Sequence, residues 1–221
     1  MNKESFPAFY PIIDTSTALS RGITPEDVAR ALVGAGVQVA QFRHKGFYDR
    51  ENLKSARKAC EIVQSSGAIY IVNDRLDIAL FLGADGVHVG QEDISLASVR
   101  TVIKTLPAQK SVLVGLSVHN ERQLKQADLT SADYLAVGPI FATQSKELLD
   151  PTVGLEKLER LCTLTSKPIV AIGGITRENA AEVFAAGADS IAVISDLIDP
   201  NINNRLQEWA RVVSFGIIDS E

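Results

Sequence analysis

The stretch "YIVNDRLDIALFLGADGVHVGQED", Tyr70 to Asp93, holds the fold in miniature. Tyr70-Ile71-Val72 is a short apolar run that breaks off into Asn73-Asp74, and Gly86-Val87-His88-Val89 is another that ends in Gln91-Glu92-Asp93. Between them residues 75–82 are apolar at helical spacing, and Gly83 stops them. Strand, helix and strand in so short a span read as one βαβ unit, whose strands run parallel and whose polar endings lie on one side.

The same alternation extends in both directions from this unit. Short β-branched runs fall at 9–13, 37–42, 68–72, 86–89, 111–116, 134–137, 168–172 and 190–194. Amphipathic segments separate or follow them at 25–35, 50–65, 75–82, 96–105, 121–129, 154–164, 177–186 and 203–213. Thr24-Pro25-Glu26-Asp27 places a capping hydroxyl before proline at the first helical position, and Thr176 before Arg177 predicts a similar start. Glycines at Gly34, Gly83 and Gly187 predict helix ends just ahead of the next strand. Eight such units in 221 residues are what a closed (β/α)8 TIM barrel needs, so residues 1–221 are expected to form one α/β domain. The open doubly wound sheet is the competing architecture. It calls for fewer strands and a glycine-rich first turn, which is missing after Ile13.

Composition narrows the function classes. A net charge of -5 without a Lys/Arg cluster argues against nucleic-acid partners and against a polybasic membrane surface. Residues 1–11 lack a basic segment followed by an apolar one, and no later apolar run is long enough to span a bilayer, so a cytoplasmic protein is expected. Cys60 and Cys162 stand alone in helical segments and read as packing thiols.

In a parallel barrel the loops after the strands share one face, so residues far apart in sequence meet there. Gln41, Arg43 and Lys45 alternate along the second strand and point to one side. Cations facing a barrel interior need anions, supplied either by a bound phosphate or by an ion-pair network. Asp74 and Asp93 follow neighbouring strands and have two readings: caps for the next helices, or, with Asn73 beside them, an oxygen-rich site for Mg²⁺. His88 reads as a hydrogen-bonded core residue rather than a metal ligand. Ser117 ends the fifth strand. The adjacent Gly173 and Gly174 after the seventh, with Ile194 and Ser195 after the eighth, form either a tight turn or a second anion site where backbone amides approach a phosphate near a helix N-terminus. Lys146 lies in a loop after the sixth strand, as an exposed side chain or as a cation that closes over a ligand.

Together Gln-x-Arg-x-Lys, "VNDR", "GVHVGQED", "GLS", "GPIFATQSK" and "AIGGI" resemble the thiamine-phosphate synthase family, in order from the second strand to the eighth. The resemblance implies a (β/α)8 barrel that joins a hydroxymethylpyrimidine diphosphate to a thiazole phosphate and releases pyrophosphate with Mg²⁺ bound. It implies that Gln41, Arg43, Lys45, Asn73, Ser117 and Lys146 contact the pyrimidine diphosphate, and that Asp74 and Asp93 ligate the metal. Arg43, Lys45, Ser117 and Lys146 would carry catalysis. Thr143, Gln144, Ser145, Gly173, Gly174, Ile194 and Ser195 fall on the thiazole phosphate side. No protein nucleophile is implied: the diphosphate leaves, the aminopyrimidine stabilises a methylene cation, and the thiazole nitrogen captures it.

The chain departs from the family pattern at Ala142, where proline is common, at Ser145, where threonine is common, and at Asp196, where a small apolar residue is usual. Asp196 sets a negative charge near the thiazole phosphate unless its side chain turns away. A thiazole tautomerase-like barrel would not need Lys45, Asp74, Asp93 and Lys146 as a set, and a non-catalytic phosphate-binding barrel would call for an interaction tail that the sequence lacks. The expected partners are small phosphorylated substrates, with self-association into a homo-oligomer left open.

Overall fold

The computed structural model describes residues 2–106, 111–143 and 151–213. Eight parallel strands close into a barrel in sequence order: β1 (Phe9–Asp14), β2 (Val39–Arg43), β3 (Ile69–Asn73), β4 (Gly86–Val89), β5 (Leu113–Val118), β6 (Tyr134–Val137), β7 (Ile169–Ile172) and β8 (Ser190–Val193). β1 pairs with β8 through Tyr10 and Ala192, so no strand keeps an open edge. Around them run α1 (Thr15–Ser20), α2 (Pro25–Gly34), α3 (Arg50–Ser65), α4 (Leu76–Leu82), α5 (Leu96–Ile103), α6 (Glu121–Asp128), α7 (Gly154–Cys162), α8 (Ala180–Ala185) and α9 (Ile202–Val212).

Every predicted strand and helix is present, with ends within three residues of expectation. The six-residue α1 was not foreseen, and it is held by Asp14, whose Oδ1 accepts from the Thr17 amide at 2.8 Å. Two local signals were misplaced. Thr176 does not start a helix: residues 177–179 form a turn, Asn179 Oδ1 accepts from the Thr176 amide at 2.9 Å, and α8 begins at Ala180. Gly34 stays inside α2, and Gly36 supplies the left-handed residue beyond it, whereas Gly83 caps α4 as expected. Cys60 and Cys162 are buried free thiols, as read from the sequence.

Period-two alternation sorts each strand's side chains. Phe9, Ile13, Phe42, Tyr70, Val72, Val87, Val114, Leu135, Ile169 and Ile191 face the helices in one large apolar cluster. Tyr10, Ile12, Val39, Ile71, Tyr134, Ala136, Val170 and Ala192 fill the barrel interior in a second. Phe6 joins this inner cluster from below, its ring 5.1 Å from that of Tyr134, and so plugs the N-terminal end.

At that end one device recurs. Asp85, Asp133 and Asp189 each stand one residue before an even-numbered strand, and their carboxylates accept from the amides of Tyr70 (2.8 Å), Val114 (2.7 Å) and Ile169 (2.8 Å) on the preceding strands. Charge-assisted bonds to a half-buried carboxylate rank among the stronger single contributions to stability. Asp133 also receives Arg100 at 2.6 Å. Asp133→Ala leaves the Val114 amide and Arg100 without this acceptor, at an expected cost of about 1–3 kcal/mol. Urea denaturation would read that loss, while kcat/KM of the folded variant stays close to wild type because the substitution lies on the face away from the site.

Candidate active site

The C-terminal rim surrounds a cavity of about 880 Å³. Its floor is the inner apolar layer, including Ile12, Ala136, Val170 and Ala192, and its walls carry Gln41, Arg43, Lys45, Asn73, Asp74, Asp93, Ser117, Thr143, Gly173, Gly174, Ile194 and Ser195. Of the residues singled out in the sequence, Gln144, Ser145 and Lys146 lie outside the described residues. The structure brings the rest to one chamber.

The capping readings of the two acids fail. Asp74 is the one residue other than glycine with a left-handed backbone among those described, at φ 61°, and the residue flanking α4 is Arg75, which makes no side-chain cap. Such a conformation costs about 1–3 kcal/mol and is typical of sites where position outweighs comfort. The Asp74 amide donates to the His88 carbonyl at 2.7 Å, which fixes the turn. For α5 the cap is Ser95, whose Oγ accepts from Ser98. Asp93 Oδ2 instead accepts from the Gly90 amide at 2.7 Å. Partial burial, together with the Asp74 carboxylate beside it, raises the Asp93 carboxyl above its usual range despite the Gly90 bond and the nearby Lys45.

A carboxylate whose charge is disfavoured by burial and by a neighbouring carboxylate is a donor that a divalent cation would relieve. Mg²⁺ fits the two acids, since it takes a few carboxylates and completes its shell with water and substrate phosphate. Among the described residues no group of three metal-ligating side chains occurs. Asn73, on the same wall, has a buried Nδ2 with no partner inside the described chain.

Both cations on this wall meet chain carboxylates, so the ion-pair alternative left open by the sequence is partly realised. The pairs differ in strength. Lys45 Nζ lies 2.6 Å from Asp74 Oδ2, but its side chain is 55% exposed. An exposed pair is worth about 0–1 kcal/mol, so an incoming phosphate can take the lysine at little cost. Arg43 pairs with Asp14 where the side chains are only 14% and 3% exposed. Burial pushes the Asp14 carboxyl up, but hydrogen bonds from Thr17 and Ser16 and the Arg43 charge outweigh it and hold the group below its usual range. Arg43 is therefore a fixed cation and Lys45 a movable one. Asp14 was passed over in the sequence, although "IID" breaks off as the other strands do.

Deeper in the barrel a line of polar groups crosses between the walls. Gln41 Nε2 donates to Tyr10 Oη (3.0 Å), Tyr10 Oη meets Tyr134 Oη (2.6 Å), Tyr134 Oη meets His88 Nδ1 (3.0 Å), and His88 Nε2 meets Ser117 Oγ (2.9 Å). His88 is thus hydrogen-bonded and buried, as its place in the strand suggested, and it also lines the cavity. Gly115 makes room for it, because a Cβ there would lie 2.1 Å from the Tyr134 ring and 2.4 Å from His88 Nδ1.

Gly173 (φ 99°) and Gly174 (φ 65°) form the opposite wall. The β6 loop is laced to them: the Ile140 amide donates to the Ile172 carbonyl (2.9 Å) and the Phe141 amide to the Gly173 carbonyl (3.0 Å), which brings Thr143 to the cavity. Asn179 Nδ2 holds the Gly174 carbonyl at 3.0 Å. The amides of Ile194 and Ser195 do not lie at a helix N-terminus, which the sequence reading had placed near them. Residues 195–197 are a turn closed by the Leu197 amide on the Ile194 carbonyl (3.1 Å), and α9 starts at Ile202. Arg21 donates to the Ser195 carbonyl at 2.7 Å and steadies this turn. Asp196 is paired with Arg177 (2.9 Å), which offsets its charge.

A closed (β/α)8 barrel with paired carboxylates, a movable lysine and a glycine cradle around one chamber is an enzyme barrel built for phosphorylated ligands. Residues 9–197 match the family described as thiamine monophosphate synthase, and the chain belongs to that family. It is 46% identical to the thiamine-phosphate synthase of Koribacter versatilis (strain Ellin345) over 186 residues, 84% of each chain. Its identity to that of Methanoculleus marisnigri is 41%, over 83% of this chain and 85% of the relative. Among solved structures it resembles the thiamine phosphate pyrophosphorylase from Pyrococcus furiosus, with a TM-score of 0.80 and 28% identity over 96% of both chains.

The buried line generates a pH prediction. Desolvation pushes His88 down from 6.5 to about 4. The unfolded chain therefore binds the proton that the folded chain refuses, and stability is full above pH 6.5 and falls as pH drops toward 4. Two-dimensional NMR should show a His88 Cε1 proton that does not titrate down to about pH 5, and His88→Gln should lower the slope of unfolding free energy against pH between about 6.5 and 4.

Proposed function

We propose that the chain condenses 4-amino-5-hydroxymethyl-2-methylpyrimidine diphosphate with a 4-methyl-5-(2-hydroxyethyl)thiazole phosphate to give thiamine phosphate and pyrophosphate. The observation that carries this reading is the convergence on one chamber of Arg43, Lys45, Asp74 and Asp93 with Gly173, Gly174 and Ser195, a lining that suits two phosphorylated ligands. Family membership supports it. The phosphorylated substrates have no need of a membrane, and among the described residues no helix is long and apolar enough to cross one. Cytoplasmic residence is part of the proposal, and self-association is compatible with it.

In the proposed reaction the bond from the pyrimidine methylene carbon to the diphosphate oxygen breaks, and the thiazole nitrogen takes the carbon. Mg²⁺ held by Asp74 and Asp93 would neutralise the diphosphate. Arg43 stays on Asp14 and sets its positive charge toward the same anion. Lys45 leaves Asp74 as the ligand arrives. Asn73, whose buried Nδ2 has no partner among the described residues, gains one from the substrate. Ser117 donates from the fifth strand, and Lys146, outside the described residues, is assigned the cation that closes over the departing diphosphate. Gly173, Gly174, Thr143, Ile194 and Ser195, with Gln144 and Ser145 beyond the described residues, orient the thiazole phosphate so that its nitrogen faces the methylene carbon. Alignment of two bound reactants and stabilisation of the leaving charge account for the catalysis, without a covalent intermediate.

The decisive assay mixes purified protein with both substrates, with and without Mg²⁺, and measures thiamine phosphate. A protein that isomerises the thiazole phosphate alone, or binds it without product, overturns the proposal in favour of the tautomerase-like or binding barrel. Asp74→Asn keeps a residue that tolerates φ 61° and removes only the charge, so it and Asp93→Asn should each lose about 10²-fold or more in kcat/KM, with partial recovery at high Mg²⁺.

The two walls separate in a further variant. A Cβ on Gly174 would lie 2.6 Å from the Ala142 carbonyl oxygen and 2.8 Å from Phe141 Cβ. Gly174→Ala should therefore raise the KM for the thiazole phosphate by about tenfold or more and leave that for the pyrimidine diphosphate within about threefold, read from initial rates with each substrate varied in turn.

A further inference from the structure

The line from Gln41 to Ser117 has a direction, fixed by counting hydrogens. An amide nitrogen is donor-only, so the contact from Gln41 Nε2 uses the Tyr10 oxygen as an acceptor. The Tyr10 hydrogen then goes to the Tyr134 oxygen, and the Tyr134 hydrogen goes to His88 Nδ1. A ring that accepts at Nδ1 bears no proton there, so it carries its one proton on Nε2 and donates it to Ser117 Oγ. The Ser117 hydrogen is left for the cavity. Run the other way, the Tyr10 oxygen would accept from both Tyr134 and Gln41, and its own buried hydrogen would find no acceptor within the line.

We propose that Tyr10, Tyr134 and His88 are positioning residues that hold Ser117 as a hydrogen-bond donor toward the substrate, with the amide of Gln41, four hydrogen bonds away, setting the sense of the chain. The inference rests on the reading that Ser117 faces the pyrimidine diphosphate. A hydroxyl committed to donate favours an oxygen that gains negative charge as its bond breaks, whereas one whose hydrogen is held by the ring would present lone pairs to that oxygen. Five strands contribute, β2, β1, β6, β4 and β5 in that order, so the closed barrel itself sets the spacing of the relay. The members are deep: Tyr10 and Tyr134 are 1% exposed and Gln41 is 3% exposed, which keeps bulk water from replacing a link.

The tautomer of His88 is the direct readout. Long-range proton–nitrogen NMR of the full chain, ¹⁵N-labelled and without substrate, is expected to show the hydrogen on Nε2. Gln41→Glu replaces the donor by an acceptor-only carboxylate, which should draw the Tyr10 hydrogen, turn each link around and move the ring hydrogen to Nδ1. A ring proton on Nδ1 in the wild type overturns the proposal, as does a folded Gln41→Glu chain whose His88 keeps the wild-type tautomer. These spectra decide the matter whether or not the chain makes thiamine phosphate, so failure of the functional reading is seen separately in the wild-type assay. In the active enzyme Tyr134→Phe, which keeps the ring and removes the hydroxyl, should lower kcat by about tenfold or more with both KM values within about twofold. An unchanged kcat would show that Ser117 needs no such ordering.

Discussion

Closure between β1 and β8 is the constraint on which the rest of the molecule depends. Parallel pairing alone puts all strand C-termini on one side, and closure then turns that side into a ring, so groups far apart in sequence share one chamber. It also divides the side chains. Residues at one phase of the two-residue period face the helices and form the large core, and those at the other phase have only one another inside the barrel. Polar side chains on the inner phase must therefore be satisfied by each other or by a ligand, and that requirement generates both the Arg43–Asp14 pair and the relay from Gln41 to Ser117.

Two kinds of electrostatic contact do different work in the chamber. Arg43 and Asp14 are buried together, and breaking such a pair by removing one partner is expensive, so they serve as fixed scenery. Lys45 and Asp74 touch at the exposed lip, where water already competes and exchange for a ligand is cheap. The left-handed backbone of Asp74 belongs with this second kind: the chain accepts a local cost to aim one carboxylate toward Asp93.

Much of this was legible in the sequence because strands and helices have different periods. The run from Tyr70 to Asp93 gave a strand, a helix and a strand whose observed limits differ by a residue or two, and the polar endings marked the rim. What stayed hidden depends on partners across the barrel. Tyr10 and Tyr134 look like ordinary strand aromatics until the closed barrel sets their hydroxyls 2.6 Å apart. Asp14 has the same strand-end position as Asp74, yet its partner Arg43 lies on another strand, beyond the reach of local spacing. Thr176 carries a valid capping side chain, but the glycine loop before it needs a further turn, which Asn179 ties off before α8 can begin.

The aspartates at the base of the barrel carry a consequence for modularity. Asp85 ties β4 to β3, Asp133 ties β6 to β5 and Asp189 ties β8 to β7, so strands are stapled two by two. Gln38 occupies the corresponding place before β2, its carbonyl accepting from Ile69 just as the carbonyl of Asp85 accepts from Leu113. Three of the strand pairs, β3–β4, β5–β6 and β7–β8, are thus stapled, with seams between them that carry no such staple among the described residues. A cut in the chain between α5 and β5 falls on such a seam and leaves every staple inside one half-barrel. Arg100 on α5 reaches over that cut to the carbonyls of Val112 (3.1 Å) and Ser131 (3.0 Å), a ready-made latch by which two separately produced halves could find each other and reassemble.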